Sequence, residues 1–194
     1  MAAEASGGKI LLFGKWSFDG IQVEDPGLKR YICLKPVYMP RTGGGHEHRP
    51  FGKAETPIVE RLVNQLMRPG KHGGEKAKAI EIVKNAFEII HLRTSKNPIE
   101  VLLRAIENSA PCEDVTKVAY GGVVYFRSVD ISPLRRLNLA LRFLVEGARL
   151  ASKSNPKTID EYLADELIAA AAGDPKSYAI QRKNEMERIA LASR

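Results

Sequence analysis

The pair Gly121-Gly122, with β-branched and apolar residues on both sides, constrains this chain more than any other stretch. Adjacent glycines take positive φ at both central positions of a two-residue hairpin turn, and such turns match the twist of the strands they join. The reading is a β-ribbon over about 113–131. Tyr120 then faces Val123, Val118 faces Tyr125 and Thr116 faces Arg127 on one face, with Ala119/Val124, Lys117/Phe126 and Val115/Ser128 on the other. Neither face is polar throughout, and two strands alone are marginal in water. The ribbon must therefore lie on something, and the sequence on either side of it is helical.

One device opens most of these helices. Thr56-Pro57, Asn97-Pro98, Ser132-Pro133 and Asp174-Pro175 each place a residue that favours the N-cap before a proline at the first helical position. Thr158, with Glu161 three residues on, fits a capping box. The helices predicted run over 57–67, 75–92, 98–108, 133–153, 159–172 and 175–192. Their apolar stripes recur at helical spacing: Val59, Leu62, Val63, Leu66 and Met67; then Ile80, Val83, Phe87 and Ile90; then Val101, Leu102 and Ile106. Leu137, Leu141, Leu144 and Ala148 follow, then Leu163, Leu167 and Ala170, and last Tyr178, Met186 and Ile189. The fold class is thus mostly α: a six-helix, bundle-like domain over 55–194, with a protruding hairpin between the third and fourth helices.

Residues 1–54 read as an N-terminal extension. Its first nine residues are small and polar and are expected to be disordered until bound. Short apolar runs between Ile10 and Met39, punctuated by glycine and proline, predict short strands or extended segments packed on the domain. The stretch 41–53, RTGGGHEHRPFGK, is a glycine-rich basic arm. It would order on binding and lay Arg41, Arg49 and Lys53 against phosphates, or else it is a solvated linker.

Thirty Lys and Arg against 23 Asp and Glu leave a net charge of +7, which fits a polyanion partner. Two cysteines far apart, Cys33 and Cys112, read as buried, reduced thiols of a cytosolic protein. The start lacks the apolar run of a secretory leader, and no stretch is apolar enough to span a bilayer.

The cations concentrate. Arg135, Arg142 and Arg149 recur every seven residues, forming a nearly straight seam on one helix that Lys153 extends. The seam either meets successive phosphates or is partly paired through Glu146, which lies within one turn of Arg142 and Arg149. Arg135 and Arg136 stand in the first turn of their helix, where the dipole disfavours positive charge, so an anionic partner is indicated. The turn MRPGKHGGEKAK gathers Arg68, Lys71, His72, Lys76 and Lys78 before a helix N-terminus suited to phosphate oxygen, although it is no P-loop. Arg93 and Lys96 follow that helix, where they either add contacts or satisfy its last carbonyls. Lys117 and Arg127 lie on the ribbon. No enzyme signature, cofactor motif or convincing metal-ligand set is present, and the short motif His46-Glu47-His48 lacks the further ligands a zinc site needs.

Seven stretches stand out: LVNQLMRPGK (62–71), AIEIVKNAFEII (79–90), AIENSAP (105–111), YGGVVY (120–125), SPLRRLNLALRFLVEGAR (132–149), LADELIAAA (163–171) and MERIA (186–190). In order and spacing they resemble the S-seven family of small ribosomal subunit proteins. The extension, with FGKW and LKPVYMP, resembles that of the archaeal and eukaryotic branch. The resemblance implies direct binding to small-subunit rRNA, nucleation of head assembly, and a position on the subunit interface near the mRNA path and exit-site tRNA. Neighbouring proteins of head and platform are the other partners implied, and no membrane is. Residue by residue, it assigns RNA contact to Lys71, Arg135, Arg136, Arg142 and Arg149. Bacterial members carry several basic residues before Gly-Gly, whereas here only Lys117 stands there, so contact by the ribbon would rest on Arg127, shape and stacking by Tyr120, Tyr125 or Phe126. The rival readings are a helix-turn-helix-like DNA regulator, recognised by preference for duplex DNA, and an enzyme, recognised by a bound metal or nucleotide.

Overall fold

A computed structural model describes residues 10–46, 48–67, 70 and 72–194. A short helix α1 (Pro26–Lys29) and a 3-10 turn (Gly52–Glu55) precede the helices α2 (Ile58–Leu66), α3 (Lys76–Thr94) and α4 (Pro98–Ser109). The strands β1 (Glu113–Tyr120) and β2 (Val123–Asp130) come next, then α5 (Pro133–Ser152), α6 (Ile159–Ala171) and α7 (Tyr178–Ala192). The mostly helical body with one antiparallel hairpin is the expected class, and each predicted helix is present. No helix among the described residues is long and apolar enough to cross a membrane.

α6 is the central element, packed against α3, α4 and α5, while α2 lies against α3 and α5. The stripes on α2 to α6 are the core: Leu62, Val83, Phe87, Ile90, Leu102, Leu137, Leu141, Leu163 and Leu167 are wholly buried. Each side chain of this size contributes roughly 1.5–3 kcal/mol on leaving water. On α7 the expected stripe is only partly inward: Tyr178 and Met186 are half-buried, Met186 against the core. The buried residues of this helix are Ala179, Ile180 and Ala190, while Ile189 is 49% exposed. Small residues let α7 approach closely: at Gly147 of α5, an added Cβ would stand 2.9 Å from Cβ of Tyr178.

The helix starts follow the cap and proline device unevenly. Asn97 accepts from the Ile99 amide as expected, whereas the Ser132 and Thr158 side chains make no capping bond. Thr56 is not a cap, because Pro57 itself occupies that position. After Asp174-Pro175 the helix begins three residues late, with Ser177 capping the Ile180 amide, because Asp174 closes its own turn onto the Lys176 amide. Asp25-Pro26 opens α1 by the same device.

The ribbon register is the one predicted, from Tyr120 opposite Val123 to Val115 opposite Ser128. Gly121 and Gly122 take φ of 58° and 83° at its tip. The expectation that the ribbon lies on the body holds only for its base. There the Ser128 amide donates to the Ser193 carbonyl, Arg194 pairs with Glu113, and Glu187 accepts from the Cys112 amide. Beyond the base, Val118, Tyr120, Val123, Val124, Tyr125 and Phe126 are exposed. Among the described residues the sheet has two strands, so beyond the base both carry an open outer edge.

The described part of the extension is a belt around the body more than a set of strands. It forms only the single bridges Leu12 to Trp16 and Cys33 to Pro57, because it is held by side chains instead of a ladder. Trp16 packs edge-on to His91 of α3, Asn97 donates to the Ser17 carbonyl, and Glu107 of α4 accepts from the Glu24 and Asp25 amides. Leu12 and Leu28 reach the core and are wholly buried.

Candidate nucleic-acid interface

The heptad spacing on α5 does what it predicted geometrically. Arg135, Arg142 and Arg149 line one groove of about 500 Å³ between α5 and the end of α2, joined by Lys53 from the 3-10 turn. Asn138, Leu139, Val145 and Glu146 fill the intervening α5 positions, and Gln65 and Met67 form the facing wall. Asn138 was not foreseen, although its place one turn from both Arg135 and Arg142 was the available signal. A second groove of about 390 Å³ shares Met67 and Arg149 with the first and adds His72, Lys78 and Lys153 around an apolar floor of Leu66, Ala79, Ile82 and Ile159. Between Arg135 and Lys153 the helix rises about 27 Å, so the two grooves form a track long enough for several phosphates.

Two of the seam arginines, Arg135 and Arg142, are only lightly held. Arg135 donates to Asp114 at 3.0 Å and Arg142 stands 3.9 Å from Glu146, with the two arginine side chains 62% and 61% exposed. Exposed pairs of this kind are worth no more than about 1 kcal/mol, so a phosphate can displace the carboxylate. Pairing of Arg142 with Glu146, the alternative to phosphate contact, therefore exists without committing that arginine.

Other expected cations are engaged within the protein. Arg136, read as an RNA contact, is turned inward: it donates to Asp25 at 3.0 Å and to the Pro111 carbonyl at 3.2 Å. A helix advances about 100° per residue, so Arg136 points away from the face that Arg135 shares with the groove. Lys76 is drawn to buried Glu60. Arg93 and Lys157 both pair with Asp165. His72 and Lys78 each lie near Glu75, and Lys117 lies over the Phe126 ring at 5.6 Å. Arg41, Arg49, Lys96 and Arg127 are exposed but line neither groove. Arg68 and Lys71, like Glu47, lie outside the described residues. In the glycine-rich arm the Gly52 amide donates to the Arg49 carbonyl at 3.0 Å, closing one turn ahead of Lys53.

Two charged residues lie buried beside the grooves, and neither was singled out from the sequence. Burial raises the Glu60 carboxyl, but the Lys76 ammonium and the Thr42 amide and hydroxyl outweigh it and hold the group below its ordinary value. Burial lowers the Arg61 guanidinium to about 10, and it donates to the Tyr31 carbonyl at 3.1 Å and to the Asn138 side chain at 2.8 Å.

Body, ribbon and cationic track together have the form of a mostly α binding module. The chain matches the family described as Ribosomal protein S7p/S5e over residues 28–194. It is 49% identical over 183 residues to small ribosomal subunit protein uS7 of Methanothermobacter thermautotrophicus, covering 94% of this chain and 98% of that one. It is also 49% identical over 193 residues to the protein of the same name from Cenarchaeum symbiosum, covering 95% and 97%. The chain belongs to the Ribosomal protein S7p/S5e family. As a member it is a structural constituent of the small ribosomal subunit, takes part in translation, and is not an enzyme.

Proposed function

We propose that this chain binds small-subunit rRNA directly and nucleates assembly of the subunit head, standing at the subunit interface near the mRNA path and exit-site tRNA. Its family associates with small-subunit rRNA and with other ribosomal proteins in the cytoplasm. The division of labour is an extension over 1–54, whose described part belts the body, and a helical domain over 55–194 that carries the main RNA surface. The observation that supports this most is the convergence of Lys53, Arg135, Arg142 and Arg149 on one groove. Four cations from two elements, three of them guanidinium forks, suit a folded phosphate backbone read by shape and charge. Arg127, Tyr120, Tyr125 and Phe126 on the exposed ribbon form the second contact, reaching mRNA or tRNA.

The test is the salt dependence of binding to an in-vitro transcript of the small-subunit rRNA. Arg135→Gln and Arg142→Gln should each flatten the slope by roughly 0.9, the release expected for one phosphate contact. An unchanged slope assigns both arginines to Asp114 and Glu146. Tighter binding to duplex DNA at the same salt sinks the rRNA reading altogether.

A further inference from the structure

We propose that Glu60, in the first turn of α2, is the positioning residue of the groove, clamping the glycine-rich arm so that Lys53 stands at the rim. The proposal rests on the phosphate-binding reading of that groove. Glu60 is 1% exposed, in a helix that otherwise buries mainly aliphatic side chains. A carboxylate in such a place is kept only where strong partners compensate its lost hydration. Its Oε1 accepts from the Thr42 amide at 3.0 Å, the Thr42 hydroxyl at 3.0 Å and the Lys76 ammonium at 2.5 Å. Thr42 opens the arm and Lys76 opens α3, so one oxygen ties three segments. A carboxylate serving only to neutralise Lys76 would not need both donors of Thr42.

From Thr42 the contacts lead to the groove. The arm folds back until Gly52 lies so close to the His46 carbonyl that an added Cβ would stand 1.8 Å from its oxygen. The next residue is Lys53, which lines the groove. Arg61 does for the other wall what Glu60 does for the arm. It donates to Asn138, which sits between Arg135 and Arg142, and so fixes that stretch of α5. Consecutive buried charges on one helix thus hold both sides of the cationic surface.

The experiment uses the full chain and an in-vitro transcript of small-subunit rRNA. Glu60→Gln keeps the size of the side chain but removes the charge that grips Thr42 and Lys76. Tryptic cleavage after Arg41 and Lys53 should accelerate about tenfold and rRNA affinity should fall about fivefold, as expected for loss of charge-assisted hydrogen bonds. In a Lys53→Gln background the same substitution should cost less than about twofold, because the contact it positions is already gone. Simple additivity, or an arm cleaved no faster, overturns the proposal. Thr42→Val, which removes one bond and leaves the buried carboxylate, must show the same coupling to Lys53 and serves if Glu60→Gln does not fold. If Lys53→Gln and Arg135→Gln both leave affinity unchanged, the groove reading fails and this proposal with it. If they weaken binding without coupling to Glu60, the positioning role alone fails.

Discussion

Arg135 and Arg136 are neighbours in sequence with opposite surroundings. The first is 62% exposed on the groove; the second is 15% exposed, locked to Asp25. Losing one partner of a largely buried pair leaves the other uncompensated, and the remaining exposure here reduces that cost to about 1–3 kcal/mol. Arg136→Gln should therefore lower the thermal midpoint while leaving the salt slope of rRNA binding intact, the reverse of Arg135→Gln. A flattened slope for Arg136→Gln, read by the same titration, would return it to the RNA surface. The seam was legible in the sequence because its spacing lies within one helix. The fate of Arg136 was not, because Asp25 lies 111 residues away. The pairings of Lys76 and Arg93 were hidden for the same reason, since their partners Glu60 and Asp165 sit on other helices.

Among the elements, the ribbon was read down to individual pairs, since a two-residue glycine turn fixes register without reference to the rest of the fold. Helix starts were legible where a side chain caps locally, as at Asn97, and shifted where Asp174 closed its own turn first. α7 was legible in part: Tyr178 and Met186 do pack inward, whereas Ala179 and Ala190 are small and carry little periodic signal. That the extension packs on the body as extended segments was legible from its short apolar runs; its individual tethers were not, because they run to distant side chains. Exposure decides what the ribbon aromatics do: Tyr120, Tyr125 and Phe126 are 81%, 57% and 57% exposed. Replacing all three with alanine should change unfolding free energy by no more than about 0.5 kcal/mol in urea titrations. The same variant should lose about tenfold in rRNA affinity if the rings stack on unpaired bases. A marked loss of stability would place them in a structural role.

For the molecule as a whole, the belt makes acid a shared threat. Glu60 ties the extension, α2 and α3, and its carboxyl is held below its ordinary value of 4.5. The native state therefore binds fewer protons there than the unfolded chain, so the contribution is present above that ordinary value and is lost as pH falls through the lowered one. The urea midpoint of the wild type should drop more steeply than that of Glu60→Gln from about pH 5 downward. Parallel curves would mean that the carboxylate adds nothing to folding. The tip of the ribbon has a cost of another kind. Bare β edges flanked by valine and aromatic rings are templates for pairing between copies. A pool of unassembled protein would thus be prone to aggregate, and safe production of this chain requires its synthesis to keep step with the supply of particles that take it up.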